Sequence, residues 1–118
     1  MESHGTTHLT AMDRDGMTVS ATSTVNLEWG CKKMCPVTGI IINNEVDDFS
    51  VPNANNSFGL PPSHANFIAG GKRPLSSAAP VILEREGKVF LALGGAGGSR
   101  IITSVAEVGK PTFPRSSC

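Results

Sequence analysis

Hydroxyl-bearing and apolar side chains alternate over residues 6–12 and again over 17–26, the period of a strand with one face buried. Between the two runs stands Asp13-Arg14-Asp15-Gly16, and an Asp-Gly pair tolerates the positive φ of a tight turn, so the runs read as a β-hairpin. A two-residue loop at Asp15-Gly16 sets Thr7 opposite Thr24, whereas a four-residue loop sets Thr6 opposite Ser23. Either register brings Thr6 close to Thr24. Further along, the apolar run at 40–43 reads as a short strand ending in the polar cluster Asn43-Asn44-Glu45-Val46-Asp47-Asp48. "APVILER" and "KVFLAL" read as two more strands joined by a second tight turn, and "SRIITSVAEV" has helical apolar spacing with Ser99 as its N-cap. Residues 51–74, rich in Pro, Asn, Gly and Ser, form a long irregular segment of the kind that carries function or poor order. The pattern is α+β with mostly antiparallel strands, followed by a tail over 109–118 expected to be disordered.

Composition agrees with strands and ordered loops rather than a helical bundle: 13 Gly and eight Pro stand against one Trp, five Phe and no Tyr. The 118 residues fall in the range of one domain. Ten basic and ten acidic side chains cancel, so no net field draws nucleic acid or an anionic membrane, and no nucleic-acid partner is expected. "VFLAL" is too short to cross a bilayer, and "MESHGTTH" lacks the apolar core of a signal peptide. Cys31, Cys35 and Cys118 make an odd count, and Cys31/Cys35 would be half a zinc site with no second pair nearby. His4 and His8 are spaced for a helical metal site, but on a strand that spacing separates them by roughly 13 Å. Neither a metal nor a cofactor is expected.

Four constellations can carry chemistry. A threonine hydroxyl attacks only with a base beside it, and cleaving the chain just before the threonine makes its own α-amine that base. Gly5-Thr6, with Thr24 opposite, supplies the small preceding residue and the second hydroxyl such a site needs. Glu45, Asp47 and Asp48 crowd acids beside amides, a setting suited to gripping an ammonium group; their spacing does not fit an EF-hand loop. Ser76 and Ser77 follow Lys72 and Arg73 and could hold a carboxylate. Gly94–Gly98 lead from strand to helix, where bare backbone N–H groups can face an oxyanion. Each also has a plain reading as exposed strand, solvated acidic turn, Pro-flanked serine pair or tight turn. "NNS" at 55–57 is a glycosylation sequon on Asn55, meaningful only in the secretory pathway.

Taken in order, "GTTHLT", "SATSTVN", "GIIINNEVDDFS", "GKRPLSS" and "GGAGGSR" closely resemble the small subunit of the γ-glutamyltransferase (glutathione hydrolase) family over residues 4 to 108. The resemblance implies part of an N-terminal-nucleophile hydrolase sandwich, two β-sheets between layers of helix. It implies self-cleavage between Gly5 and Thr6, with Thr6 as nucleophile and Thr24 orienting it. By the same resemblance Asn26, Glu45 and Asp48 would hold the substrate's α-amine, Ser76 and Ser77 its α-carboxylate, and Gly97 and Gly98 would donate to the oxyanion. Expected partners are glutathione and other γ-glutamyl compounds, an amino acid or dipeptide acceptor, and a large subunit cut from the same precursor, which would add an arginine. The family's usual place is the secretory pathway, at the outer membrane face, outside the cell or in vacuoles. The chain itself is expected to be a fragment or a degenerate paralogue, inactive alone, and a form that only associates with a large subunit is the alternative.

Overall fold

The computed structural model describes residues 4–110, with His4 described by its backbone only; Met1, Glu2, Ser3, the tail beyond Lys110 and Cys118 lie outside the described residues. Strand β1 (His4–Met12) pairs with β2 (Thr18–Leu27), and β3 (Val81–Arg85) pairs antiparallel with β4 (Lys88–Leu93). A single α-helix among the described residues, α1 (Ile101–Gly109), follows β4. This is the α+β arrangement the pattern predicts.

The first hairpin differs from both predicted registers by one residue. Asp13 closes the loop with its side chain, whose Oδ1 accepts from the N–H groups of Asp15 at 2.9 Å and Met17 at 2.8 Å. Gly16 N–H donates to Asp13 O, Asp13 N–H donates to Met17 O, and Gly16 takes φ +87°. That is a three-residue loop, a turn followed by one left-handed residue. It sets Thr6 opposite Thr24 and His8 opposite Thr22, as their side-chain hydrogen bonds record.

The second hairpin has a two-residue loop in which Glu86 and Gly87 both take positive φ, the mirror-image turn that matches strand twist. A bulge between Leu83 and Glu84 shifts its register, and the Arg85 guanidinium sits 4.7 Å above the Phe90 ring.

Three further expectations change. The apolar run at 40–43 is not a strand but an isolated bridge, Met34 to Ile41, flanked by bonds from Cys31 N–H to Ile42 O and from Cys35 N–H to Ile40 O. The acidic cluster is not a strand end: Glu45–Asp48 is a 3₁₀ turn. Ser99 is not a helix cap, because Gly97 (φ +139°) and Gly98 (φ +59°) already turn the chain into a 3₁₀ turn over Gly98–Arg100 that runs straight into α1. The irregular segment holds, broken by a 3₁₀ turn at His64–Asn66 and an isolated bridge from Phe67 to Ser50.

The chain divides into two units, one comprising residues up to Thr6 with 23–76, the other 7–22 with those from 77 onward. Only Ile101 and Val105, one turn apart on α1, are buried hydrophobic side chains among the described residues. Met17, Trp29, Val37, Val46, Leu75 and other large apolar side chains are exposed. No helix of the described residues is long and apolar enough to cross a membrane.

Candidate active site

In the first unit, Thr6 Oγ1 lies 2.8 Å from Thr24 Oγ1, and either hydroxyl can donate. Thr24 Oγ1 also accepts the N–H of Asn26 at 2.8 Å. Asn26 is 6 % exposed and takes φ +71°, a left-handed conformation that asparagine tolerates better than most side chains. Its Nδ2 donates to Asn44 O at 3.2 Å, while Asn44 Oδ1 accepts from Leu27 N–H at 3.1 Å. A continuous chain of hydrogen bonds therefore runs from the Thr6 hydroxyl through Thr24 and Asn26 to the residue that opens the acidic turn.

Gly5 is required here for space rather than for φ. A Cβ at this position would come within 2.5 Å of Val25 Cγ2 and Leu27 O, so the backbone ahead of Thr6 packs directly on β2. A side chain there would push β1 away and break the Thr6–Thr24 contact.

The 3₁₀ turn explains the acidic cluster. Residues three apart eclipse in such a turn, which brings Glu45 and Asp48 to one side while Asn43 Oδ1 accepts from Glu45 N–H at 3.0 Å. Glu45 Oε1 is buried and has no hydrogen-bond partner among the described residues. Burial first, then the hydrogen bond to Asp48 and its charge, push the Glu45 carboxyl up to about 7. Asp48 is also raised, chiefly by burial, with Asp47's charge adding to it and the bond to Glu45 opposing it. The pair thus holds a proton near neutrality.

The consequence for stability has a definite sign. Folded Glu45 keeps its proton to about 7 while the unfolded group releases it near 4.5, so this carboxyl's favourable contribution fades as pH rises through that window. The melting temperature of the ligand-free protein is expected to decline from pH 4.5 to 7 more steeply in the natural chain than in Glu45→Gln. Parallel melting curves would count against the shared proton.

The other expected site residues lie elsewhere along the chain. Ser76 is exposed and ends the first unit, while Ser77 is half-buried and begins the second. Gly97 and Gly98 stand ahead of α1 in the second unit, and no described residue is recorded as accepting from either N–H. A Cβ on Gly97 would meet nothing within 4 Å, so that backbone is open to approach.

Sequence reasoning treated His8 only as a failed metal ligand. In the second unit its Nδ1 bonds Thr22 Oγ1 at 2.9 Å and its Nε2 lies 3.2 Å from Thr10 Oγ1, with Ser20 Oγ bonding Leu93 O at 3.1 Å. The ring occupies the space where a Cβ of Gly94 would stand. The partner two residues away shares a face of β1, while the one fourteen residues away follows from the hairpin register, which the sequence alone missed by one. Cys31 and Cys35 are free thiols, and Thr38 lowers the pKa of Cys35 by hydrogen bonding.

A threonine pair behind a space-limited glycine, a buried asparagine relay and a proton-sharing acid pair all lie within the first unit. The family model described as gamma-glutamyltranspeptidase matches residues 1–112. This chain belongs to that family. It is 54 % identical over 104 residues to glutathione hydrolase proenzyme 1 of Schizosaccharomyces pombe, covering 88 % of this chain and 16 % of that protein. It is 48 % identical over 107 residues to putative inactive glutathione hydrolase 4 of Arabidopsis thaliana, covering 89 % and 56 %. A solved structure of a highly active mutant γ-glutamyltranspeptidase from Pseudomonas nitroreducens superimposes with a TM-score of 0.82 at 43 % identity, over 92 % of this chain and 58 % of that one. The fold is therefore that of the γ-glutamyltranspeptidases, N-terminal-nucleophile hydrolases. This chain spans about a sixth of the length of the fission-yeast relative and somewhat over half of the Pseudomonas chain.

Proposed function

We propose that this chain carries the nucleophile and the donor grip of an enzyme that transfers or hydrolyses γ-glutamyl groups, glutathione among its donors. The observation that carries the reading is the Thr6–Thr24 hydroxyl contact of 2.8 Å immediately after Gly5. Hydrolysis of the Gly5–Thr6 peptide bond frees the Thr6 α-amine, which then takes the proton from Thr6 Oγ1 as that oxygen attacks the γ-glutamyl carbonyl. Thr24, held by Asn26 N–H, donates to Thr6 Oγ1 and keeps it aimed. The N–H groups of Gly97 and Gly98 stabilise the developing oxyanion, and the leaving amine (cysteinylglycine for glutathione) departs with a proton. The resulting γ-glutamyl ester passes to water, giving glutamate, or to the amine of an amino acid or dipeptide.

The donor's ammonium group fits the acid pair. A cation beside Glu45 and Asp48 satisfies the unpartnered Glu45 Oε1 and displaces the shared proton, with Asn26 nearby as a further oxygen. Ser76 and Ser77 take the α-carboxylate. The exposed apolar side chains support a partner chain covering them, the large subunit of the same precursor, and the secretory pathway is the compartment this reading assigns. No cofactor enters the scheme.

A second reading has its own support. The Arabidopsis relative whose name calls it inactive is nearly as similar as the fission-yeast one, so a chain that folds with a partner and does no chemistry is the rival. The mass and N-terminal sequence of the protein purified from its source, before and after exposure to a mechanism-based γ-glutamyl label, separate the two. Thr6 at the N-terminus bearing one label is the expected result. An intact bond before Thr6 with no label incorporated supports the inactive reading.

A further inference from the structure

Asn66 ends the 3₁₀ turn at His64–Asn66, and its side-chain amide is engaged at both ends within the first unit. Nδ2 donates to Asp48 O at 2.7 Å and to Ser50 Oγ at 3.3 Å, while Oδ1 accepts the N–H of Leu75 at 2.9 Å. The amide cannot be flipped without setting a carbonyl against a carbonyl and an N–H against an N–H. Its backbone is tied as well: Asn66 O accepts from Ser50 N–H at 3.0 Å, next to a bridge between Ser50 and Phe67. One planar group thus links Asp48 to the residue immediately before Ser76.

The chemistry of the donor makes that link matter. A γ-glutamyl donor carries its ammonium and carboxylate groups on a single carbon, so their separation is fixed. A site reading both must hold its acidic grip and its hydroxyl grip at a matching separation. Asp48 comes from a short turn and Ser76 from an irregular segment 28 positions later, and neither belongs to a sheet that would set the spacing.

We infer that Asn66 is the positioning residue that sets the spacing between the Asp48 carboxylate and the Ser76 hydroxyl, and so selects donors carrying both groups on one carbon. The inference rests on the proposed function. Removing the amide frees two segments from one another without touching either grip. A donor that needs both grips suffers, whereas a donor that uses one is indifferent to their spacing.

The test compares three anilides on the protein purified from its source: γ-glutamyl, glutaryl (no amine) and 4-aminobutyryl (no carboxylate). For Asn66→Ala, KM for the γ-glutamyl anilide is expected to rise about tenfold, the worth of a net hydrogen bond or two, with kcat within about twofold. The kcat/KM values for the two single-grip anilides stay within about twofold. Equal losses on all three donors would mean that Asn66 merely supports the fold, and the inference fails. If Asn66→Ala does not accumulate, Asn66→Ser is read by the same comparison. A natural protein that turns over none of the anilides refutes the γ-glutamyl reading itself. Equilibrium binding of L-glutamate against glutarate and 4-aminobutyrate then decides the spacing role, since glutamate's advantage disappears in the variant if Asn66 sets it and persists if it does not.

Discussion

Thr6→Ala is expected to eliminate both the break before residue 6 and turnover of γ-glutamyl donors, with kcat lower by about 10⁴-fold or more, because the proposed covalent nucleophile is removed. Among the described residues, Thr24 is the hydroxyl that bonds Thr6 Oγ1, and it is already committed to Asn26 N–H. It cannot substitute for Thr6, because its amine is locked in a peptide bond and supplies no base. Thr6→Ser keeps the hydroxyl and the new amine but loses the β-branch that restricts χ1, so it should cleave and turn over slowly. The measurement is a gel of the purified variants beside single-turnover release of the anilide. A Thr6→Ala chain that is still cut at the same bond would place the cleaving group elsewhere, and residual turnover near the natural level would remove Thr6 from the chemistry altogether.

The proximity of Thr6 and Thr24 was legible in the sequence because turn chemistry permits few registers, and every neighbouring register leaves the two within reach. The register itself was not legible. Asp13 uses its own side chain to close the loop, and a local bond of that kind competes with the Asp-Gly signal without changing the hydrophobic pattern. The three consecutive isoleucines, Ile40, Ile41 and Ile42, misled for a related reason: apolar content predicts burial, but Ile40 and Ile42 are exposed and only one bridge forms. Ser99 looked like a cap because Ser, Thr, Asp and Asn usually are, yet two glycines at positive φ start the turn before it. The acids were visible as a cluster, while their pairing needed the 3₁₀ geometry that eclipses Glu45 with Asp48. Asn66 left no local trace, since its partners lie 18 and 9 positions away and only the folded chain collects them.

Asp48→Asn should raise KM for γ-glutamyl donors about a hundredfold while leaving self-cleavage near the natural rate. The size follows from leaving an ammonium group with one partner of a partly buried charge pair missing, which costs about 2–5 kcal/mol. The separation of effects follows from position: Asp48 belongs to the acidic turn, and among the described residues no hydrogen bond joins its side chain to the Thr6–Thr24 pair. The pH dependence supplies an independent check. A cationic group binds the ionised pair, so in the natural protein the donor must expel a proton below about 7, and KM should climb as pH falls through that value. In Asp48→Asn the charge of Asp48 is gone and only burial still holds Glu45 up, so the climb in KM should move to lower pH. Profiles of KM and of cleavage rate against pH for both proteins measure each point. Equal loss of cleavage and turnover would show that Asp48 supports the site's structure instead of holding the donor, and an unmoved KM profile would assign the proton near 7 to another group.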